Sequence, residues 1–308
     1  MPILLGDVGG TNARLALAQD GAVLSRSLCR FRGDDFDEFD DVLRHYLQQQ
    51  GSPAIDAVCI AVAGPVSDGR ARLTNRDWQF DQARLADLTG AGQVRLINDL
   101  TALGYSLAAL QGDGLAVLRP APADRPRNGQ SLVVGLGTGF NVCAVHRQAS
   151  GRITALESEE GHVALPISLH QRLAEAIGSD SAASLGFVED LLSGRGLARL
   201  HGLLGGPADM SGKAIGAAAD AGDAQAEATY DLFAELTGMI CRELALHFMP
   251  REGLFLAGGV GRSIARRMTS FERGLLAQPH MRRIVQSLPV LLITDDMAAL
   301  QGCLAALS

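Results

Sequence analysis

Gly6-Asp7-Val8-Gly9-Gly10-Thr11-Asn12-Ala13-Arg14 stands between two short apolar runs, Ile3-Leu4-Leu5 before it and Leu15-Ala16-Leu17-Ala18 after it. The pattern reads as strand, glycine turn, antiparallel strand. Paired glycines at Gly9 and Gly10 let a backbone approach an anion closely, and their N–H groups form a phosphate nest. Thr11 and Asn12 add side-chain donors at the tip. Asp7 adds a carboxylate at the strand end, suited to holding Mg²⁺ through water. Phosphate donors beside a metal-binding carboxylate point to nucleotide chemistry.

A lone Gly-Gly turn is ordinary backbone geometry, so a second copy decides the matter. Leu132-Val133-Val134-Gly135-Leu136-Gly137-Thr138-Gly139-Phe140 repeats the apolar strand and the glycine/threonine turn, and Val142 to His146 supplies the returning strand. Two such hairpins, each near the start of a domain-sized segment, imply an internal duplication with ATP held between the halves. A P-loop is excluded, because the only lysine, Lys213, follows no Gly-x-x-x-x-Gly. A dinucleotide fold is disfavoured because strands, not helices, follow both turns.

The chain of 308 residues is long enough for two modest domains. Its 47% hydrophobic and 20% charged residues are usual for an α/β enzyme. A net charge of −7 argues against nucleic acid as a partner. No apolar run reaches membrane-spanning length, and no basic, cleavable leader is visible, so a cytoplasmic protein without a membrane partner is expected. Cys29, Cys59, Cys143, Cys241 and Cys303 are scattered and read as reduced, mostly buried thiols.

Periodicity places a third strand near Val23–Cys29, a helix through Phe36, Phe39, Leu43 and Leu47, and a buried strand at Val58–Ala63. A polar loop through Thr74, Asn75 and Trp78 leads to a short helix ending near Gly90. The strand Val94–Ile97 runs straight into Asn98-Asp99 and a helix from about Thr101. The stretch Ala121–Gly129 reads as a surface excursion. A mainly helical region follows the second hairpin to about Met249. The strand Gly253–Ala257 then feeds Gly258-Gly259, and a last strand at Pro289–Thr294 precedes a terminal helix.

The ordered set of Gly6 to Leu17, Leu73-Thr74-Asn75 with Trp78, Ile97-Asn98-Asp99, Gly135-x-Gly137-Thr138-Gly139, Glu159-x-Gly161-His162, Glu189-x-x-Leu192-Ser193-Gly194-x-Gly196 and Ala257-Gly258-Gly259 resembles the bacterial glucokinases. These belong with hexokinase, actin and the heat-shock ATPases. The resemblance implies an α/β, two-lobed ribonuclease-H-like fold of the actin/hexokinase type with a cleft between the lobes. The small lobe would span 1–110, with a C-terminal helix at about 296–308 returning to it, and the large lobe 111–295. The zinc-binding ROK branch is disfavoured, because no cysteine lies between Cys143 and Cys241.

The implied reaction is ATP-dependent phosphorylation of glucose at its 6-hydroxyl. Asp99 is the expected general base, although Asn98-Asp99 is also a natural helix cap. Asn98, Asp99, Glu159, His162, Glu189 and Asn75 are the expected sugar ligands. Gly9, Gly10, Thr11, Asn12, Gly137, Thr138, Gly139, Gly258 and Gly259 would hold ATP, and Asp7 both ATP and Mg²⁺. Homodimers are common among such kinases. Three positions depart from the family pattern. Glu160 stands where a glycine is usual and makes an amino sugar such as glucosamine an alternative acceptor. Asn141 replaces another glycine and would narrow the nucleotide site or lend it a hydrogen bond. Arg195 replaces a proline and reads as a loop change of little consequence. A catalytically weak sugar-binding regulator is the remaining alternative.

Overall fold

The first glycine turn is a hairpin. Ile3–Val8 pairs antiparallel with Asn12–Gln19 from Ile3 opposite Ala18 to Val8 opposite Ala13. Ile3–Val8 also pairs parallel with Ala57–Val62, and that strand pairs parallel with Gln93–Asn98. The returning strand Asn12–Gln19 carries Ala22–Val23 at one end and Cys29–Arg32 at the other. The expected single strand over Val23–Cys29 is therefore broken. The Ser27 hydroxyl accepts the Leu17 N–H at 2.8 Å and donates to the Leu24 carbonyl at 2.7 Å, bending the chain away from the sheet.

One face of this sheet packs Leu4, Val58 and Ile60 against Phe39, Leu43 and Tyr46 of the helix Phe39–Gln49. The other face packs Leu5, Cys59 and Ile97 against Leu300 and Cys303 of the helix Ala298–Ala305. That helix lies so close to the helix Asp99–Ser106 that a Cβ on Gly302 would overlap the Ala102 carbonyl. The region read as a polar loop is a small antiparallel meander of Val66–Ser67, Arg70–Arg72 and Gln79–Asp81. Trp78 is 1% exposed within it, with its indole N–H donating to the Asp37 carbonyl at 2.9 Å.

The second hairpin, Gln130–Leu136 with Phe140–Arg147, heads the same connectivity. Its first strand pairs parallel with Gly253–Ala257, which pairs parallel with Val290–Ile293. Between hairpin and parallel strand runs the helix Ala224–Phe248. Its N-terminus is capped by Asp223, whose side chain accepts the Ala226 N–H, and it ends at Met249 in the left-handed region before Pro250. This helix and the sheet bury one apolar core including Leu132, Val134, Phe233, Leu236, Ile240 and Leu256.

The computed structural model describes residues 2–73, 76–110, 112–207 and 209–308. It divides into two units. One comprises Met1–Gly114, Ile153–Glu157 and Asp295–Ser308, and the other comprises Leu115–Arg152 and Ser158–Thr294. None of the five cysteines is in a disulfide, and only Cys29 is not fully buried. The excursion Ala121–Gly129 is fastened at its end by Glu252, which accepts from Arg127 and from the N–H groups of Asn128 at 3.3 Å and Gly129 at 3.1 Å. Among the described residues, no helix is long and apolar enough to cross a membrane.

Candidate active site

In the first unit, strand register puts Asp7 directly opposite Arg14. The Arg14 guanidinium pairs with the Asp7 carboxylate and donates to the Asp296 carbonyl at 2.8 Å. The turn closes through the Gly9 N–H to the Asn12 carbonyl at 2.9 Å, leaving Thr11 and Asn12 exposed at the tip. A feature the sequence reading missed fixes this tip. Arg76 donates to the carbonyls of Gly10 at 3.0 Å and Gly33 at 2.9 Å, pairs with Asp34 and lies over the Trp78 ring. Arg76 is 66 positions from Gly10 in the chain, so no local signal could announce the contact.

Asn98 ends the parallel strand Gln93–Asn98 and is the N-cap of the helix Asp99–Ser106. Its Oδ1 accepts the Leu100 N–H at 2.9 Å, and its Nδ2 donates to the Gly64 carbonyl at 3.1 Å. Asn98 thus occupies the N-cap position. Asp99, half-buried, is the first residue of the helix, with Oδ1 also 2.9 Å from the Leu100 nitrogen. A carboxylate here stands at the carboxyl end of a parallel strand, the place where open α/β sheets bind ligands. Asn75 lies outside the described residues.

In the second unit the turn closes through the Gly137 N–H to the Gly139 carbonyl at 3.0 Å. A Cβ on Gly137 would meet nothing within 4 Å, so the backbone there is open to a ligand. The Gly137 carbonyl accepts the Gly194 N–H at 2.9 Å, which ties the turn to the helix Gly194–Leu203. That helix is capped by Ser193, whose hydroxyl accepts the Gly196 N–H at 3.0 Å and donates to the Glu189 carbonyl at 2.8 Å. Gly258, at φ 88°, abuts the Leu136 carbonyl where a Cβ would collide, while Gly259 faces open space.

Glu189 belongs to the short helix Val188–Leu191 and turns inward. Its Oε2 accepts the Phe140 N–H at 3.0 Å, and its Oε1 accepts from Arg195 at 2.9 Å. A Cβ on Gly139 would overlap the same carboxylate, and one on Gly161 would collide with the Phe140 carbonyl. Glycine is needed at both places for this approach. Glu189 therefore joins the second hairpin to the loop carrying Glu159 and His162. A cavity of about 230 Å³ opens beside it, lined by His162, Phe187, Arg195 and Arg199 among others. Arg195, expected to matter little, is the ion-pair partner of Glu189.

Glu160–His162 form a single 3-10 turn, leaving Glu159 and His162 exposed. Asn141, expected to narrow the nucleotide site or lend it a hydrogen bond, has its side-chain amide turned to Ser158, Glu159 and Glu160. Its Nδ2 donates to the Ser158 carbonyl at 2.7 Å and lies 3.4 Å from Glu159 Oε2, while its Oδ1 accepts the Glu160 N–H at 3.0 Å.

Among the described residues no group of three or more His, Cys, Asp or Glu side chains converges as a metal cage. Asp7, one partly buried carboxylate at a strand end, fits an ion that keeps most of its waters and takes its other ligands from phosphates.

The doubled hairpin-and-parallel-sheet plan with carboxylates at its strand ends is that of the two-lobed, actin- and hexokinase-type sugar kinases. A glucokinase from an Antarctic psychrotroph superposes with a TM-score of 0.82 over 99% of this chain and 98% of its own, at 28% identity. The glucokinase of Balamuthia mandrillaris, solved with glucose, shares the fold at a TM-score of 0.78 and 22% identity, covering 100% of this chain and 94% of its own. The glucokinase of Xanthomonas oryzae pv. oryzae is 33% identical over 99% of this chain and 94% of its own. The glucokinase family profile matches residues 4–308. The chain belongs to the glucokinase family and is an enzyme of that kind, a phosphotransferase with an alcohol group as acceptor.

Proposed function

We infer that the chain transfers the γ-phosphoryl group of ATP to the 6-hydroxyl of glucose, giving glucose 6-phosphate and ADP. The observation that carries this reading is the seat of Glu189. One carboxylate is bonded to the N–H that follows the glycine turn and packed against Gly161 of the loop bearing Glu159 and His162. Phosphate donors and hydroxyl acceptors thus share a wall, as transfer from a nucleotide to a polyol requires.

Glu159, His162 and Glu189 accept hydrogen bonds from ring hydroxyls, and such a polar pocket rejects sugars that lack the matching groups. Asn98 orients the sugar beside Asp99. Asp99 takes the proton of the 6-hydroxyl as its oxygen attacks the γ-phosphorus. The bond from that phosphorus to the β–γ bridging oxygen breaks, and ADP leaves. Thr11, Asn12 and Thr138 donate to phosphate oxygens, Gly9, Gly10, Gly137 and Gly139 admit those oxygens to the backbone, and Gly258-Gly259 admits the adenosine. Asp7 would hold Mg²⁺ through water, and the ion would neutralise charge developing on the phosphates. Five cysteines outside any disulfide are in keeping with a reducing compartment, and we place the enzyme in the cytoplasm.

Asp99→Asn tests the central role. With Mg-ATP and glucose, ADP formation should fall by about 10²–10⁴-fold while calorimetric glucose binding persists. Turnover surviving in Asp99→Asn would remove Asp99 from the mechanism, and absence of glucose-dependent turnover in the parent chain would remove the assignment itself.

A further inference from the structure

We propose that Asn141 is a positioning residue that sets the Glu159 carboxylate for the sugar and thereby tightens glucose binding. The proposal rests on the reading of Glu159 as a sugar ligand.

Asn141 lies on the strand Phe140–Arg147 directly opposite Gly135. With no side chain across from it, its amide reaches sideways to the sugar loop. The Oδ1 accepts the Glu160 N–H at 3.0 Å and the Val142 N–H at 2.8 Å. The Nδ2 faces the Ser158 carbonyl at 2.7 Å and Glu159 Oε2 at 3.4 Å. Rotating the amide by half a turn would set its NH₂ against two N–H donors and its oxygen against a carbonyl and a carboxylate. Its orientation is therefore fixed by its surroundings. The Ser158 hydroxyl has one proton to give, and donates it to the Val142 carbonyl at 2.7 Å. Residues 158, 159 and 160 are thus each held to the second hairpin, two of them by backbone groups.

Glu159 itself is exposed. An exposed glutamate samples several rotamers, and binding a sugar hydroxyl would have to freeze them. One Oε held toward Asn141 removes part of that freedom beforehand and leaves the other Oε for a hydroxyl. This is preorganisation, which appears in binding and not in the rate of the chemical step.

The test compares Asn141→Ala, Asn141→Asp, Glu159→Gln and the double variant Asn141→Ala/Glu159→Gln in the full chain, by calorimetric glucose Kd and by kcat and KM. Asn141→Ala should raise Kd and KM for glucose by about 10-fold, with kcat and the KM for ATP changed less than about 2-fold. Asn141→Asp keeps both acceptor bonds but sets a second carboxylate beside Glu159, and should weaken glucose at least as much. It also carries the test if the alanine variant folds poorly. In the Glu159→Gln background the effect of Asn141→Ala should vanish. An unchanged glucose Kd in both Asn141 variants, with Glu159→Gln weakened, overturns the positioning role and leaves the clamp standing. An undiminished effect in the double variant also overturns it. Unweakened binding in Glu159→Gln would overturn the clamp reading and this proposal together.

Discussion

The two hairpins follow one plan and solve the placement of a carboxylate in opposite ways. In the first, the residue before the last of the strand is Asp7, and its cross-strand partner is Arg14, so acid and counter-charge belong to the same hairpin. In the second, the corresponding pair is Gly135 and Asn141. With no acid of its own, that hairpin borrows Glu189 from a helix about fifty residues later (Phe140 to Glu189, |i−j| = 49). The tip carbonyls differ in the same sense. Gly10 is held by a long arginine side chain, Arg76, whereas Gly137 is held by the backbone of a helix start, Gly194. A self-contained carboxylate can be specialised for chemistry alone, whereas a borrowed one must hold the structure as well.

The largest effect expected at the two hairpins sharpens the first half of that contrast. Asp7→Ala should lower kcat with Mg-ATP by about 10²–10³-fold, the scale of removing one group that stabilises developing charge. Although the Asp7 carboxylate is largely buried, the Arg14 guanidinium left behind is about a third exposed and keeps its bond to the Asp296 carbonyl, so stability should fall by only about 1 kcal/mol. Steady-state kinetics and a denaturant melt on the same sample read both quantities. A large loss of stability would show the first carboxylate to be structural too, and the contrast would break.

Glu189→Ala should do the reverse in part. It strands the Phe140 N–H, which costs about 1–3 kcal/mol, and removes a charged acceptor, which should raise the glucose KM by roughly 10–100-fold. Both changes are expected together, and a KM effect without loss of stability would mean that Glu189 is as free of structural duty as Asp7.

The smallest effect concerns the approach to the second hairpin. Burial opposes the charge of Glu252, but Arg127 and the N–H groups of Gly129 and Asn128 outweigh it and hold its pKa below the ordinary 4.5. A group with a lowered folded pKa contributes stability that is present above its unfolded pKa and lost as pH falls through the folded one. Melts should therefore lose stability below about pH 4.5, and Glu252→Gln should flatten that part of the profile. An unaltered acid limb in Glu252→Gln would show that this clip contributes nothing.

What could be read in advance follows from distance along the chain. Asn98-Asp99 is a strand end followed at once by a helix, and Asn98 does cap that helix with the Leu100 N–H. By contrast, the meander around Trp78 read as loop. Its strands are two or three residues long, and arginines alternate around one buried alanine in Arg70-Ala71-Arg72, too short a run to show a period. Ser27 looked like strand because its break is made by a hydroxyl bonding across to Leu17. Asn141 and Arg195 stood out as departures from a pattern, but Ser158–Glu160 lie 17 or more residues beyond Asn141, and Arg195 meets Glu189 only because that carboxylate turns toward the second hairpin. The glycines were legible as open backbone at Gly137, whereas the need for Gly139 appears only once Glu189 lies against it.

The sequence by itself determined the two hairpins, their repetition and the kind of chemistry, because strand alternation, glycine turns and a carboxylate at a strand end are set by neighbours a few residues apart. Only the tertiary structure decided that Arg76 holds the Gly10 carbonyl and that Glu189 turns inward onto the Phe140 N–H. It also decided that Asn141 bonds to Ser158, Glu159 and Glu160. Each of these depends on where packing brings groups that are far apart in the chain, and hydrogen bonds and ion pairs act only within a few ångströms.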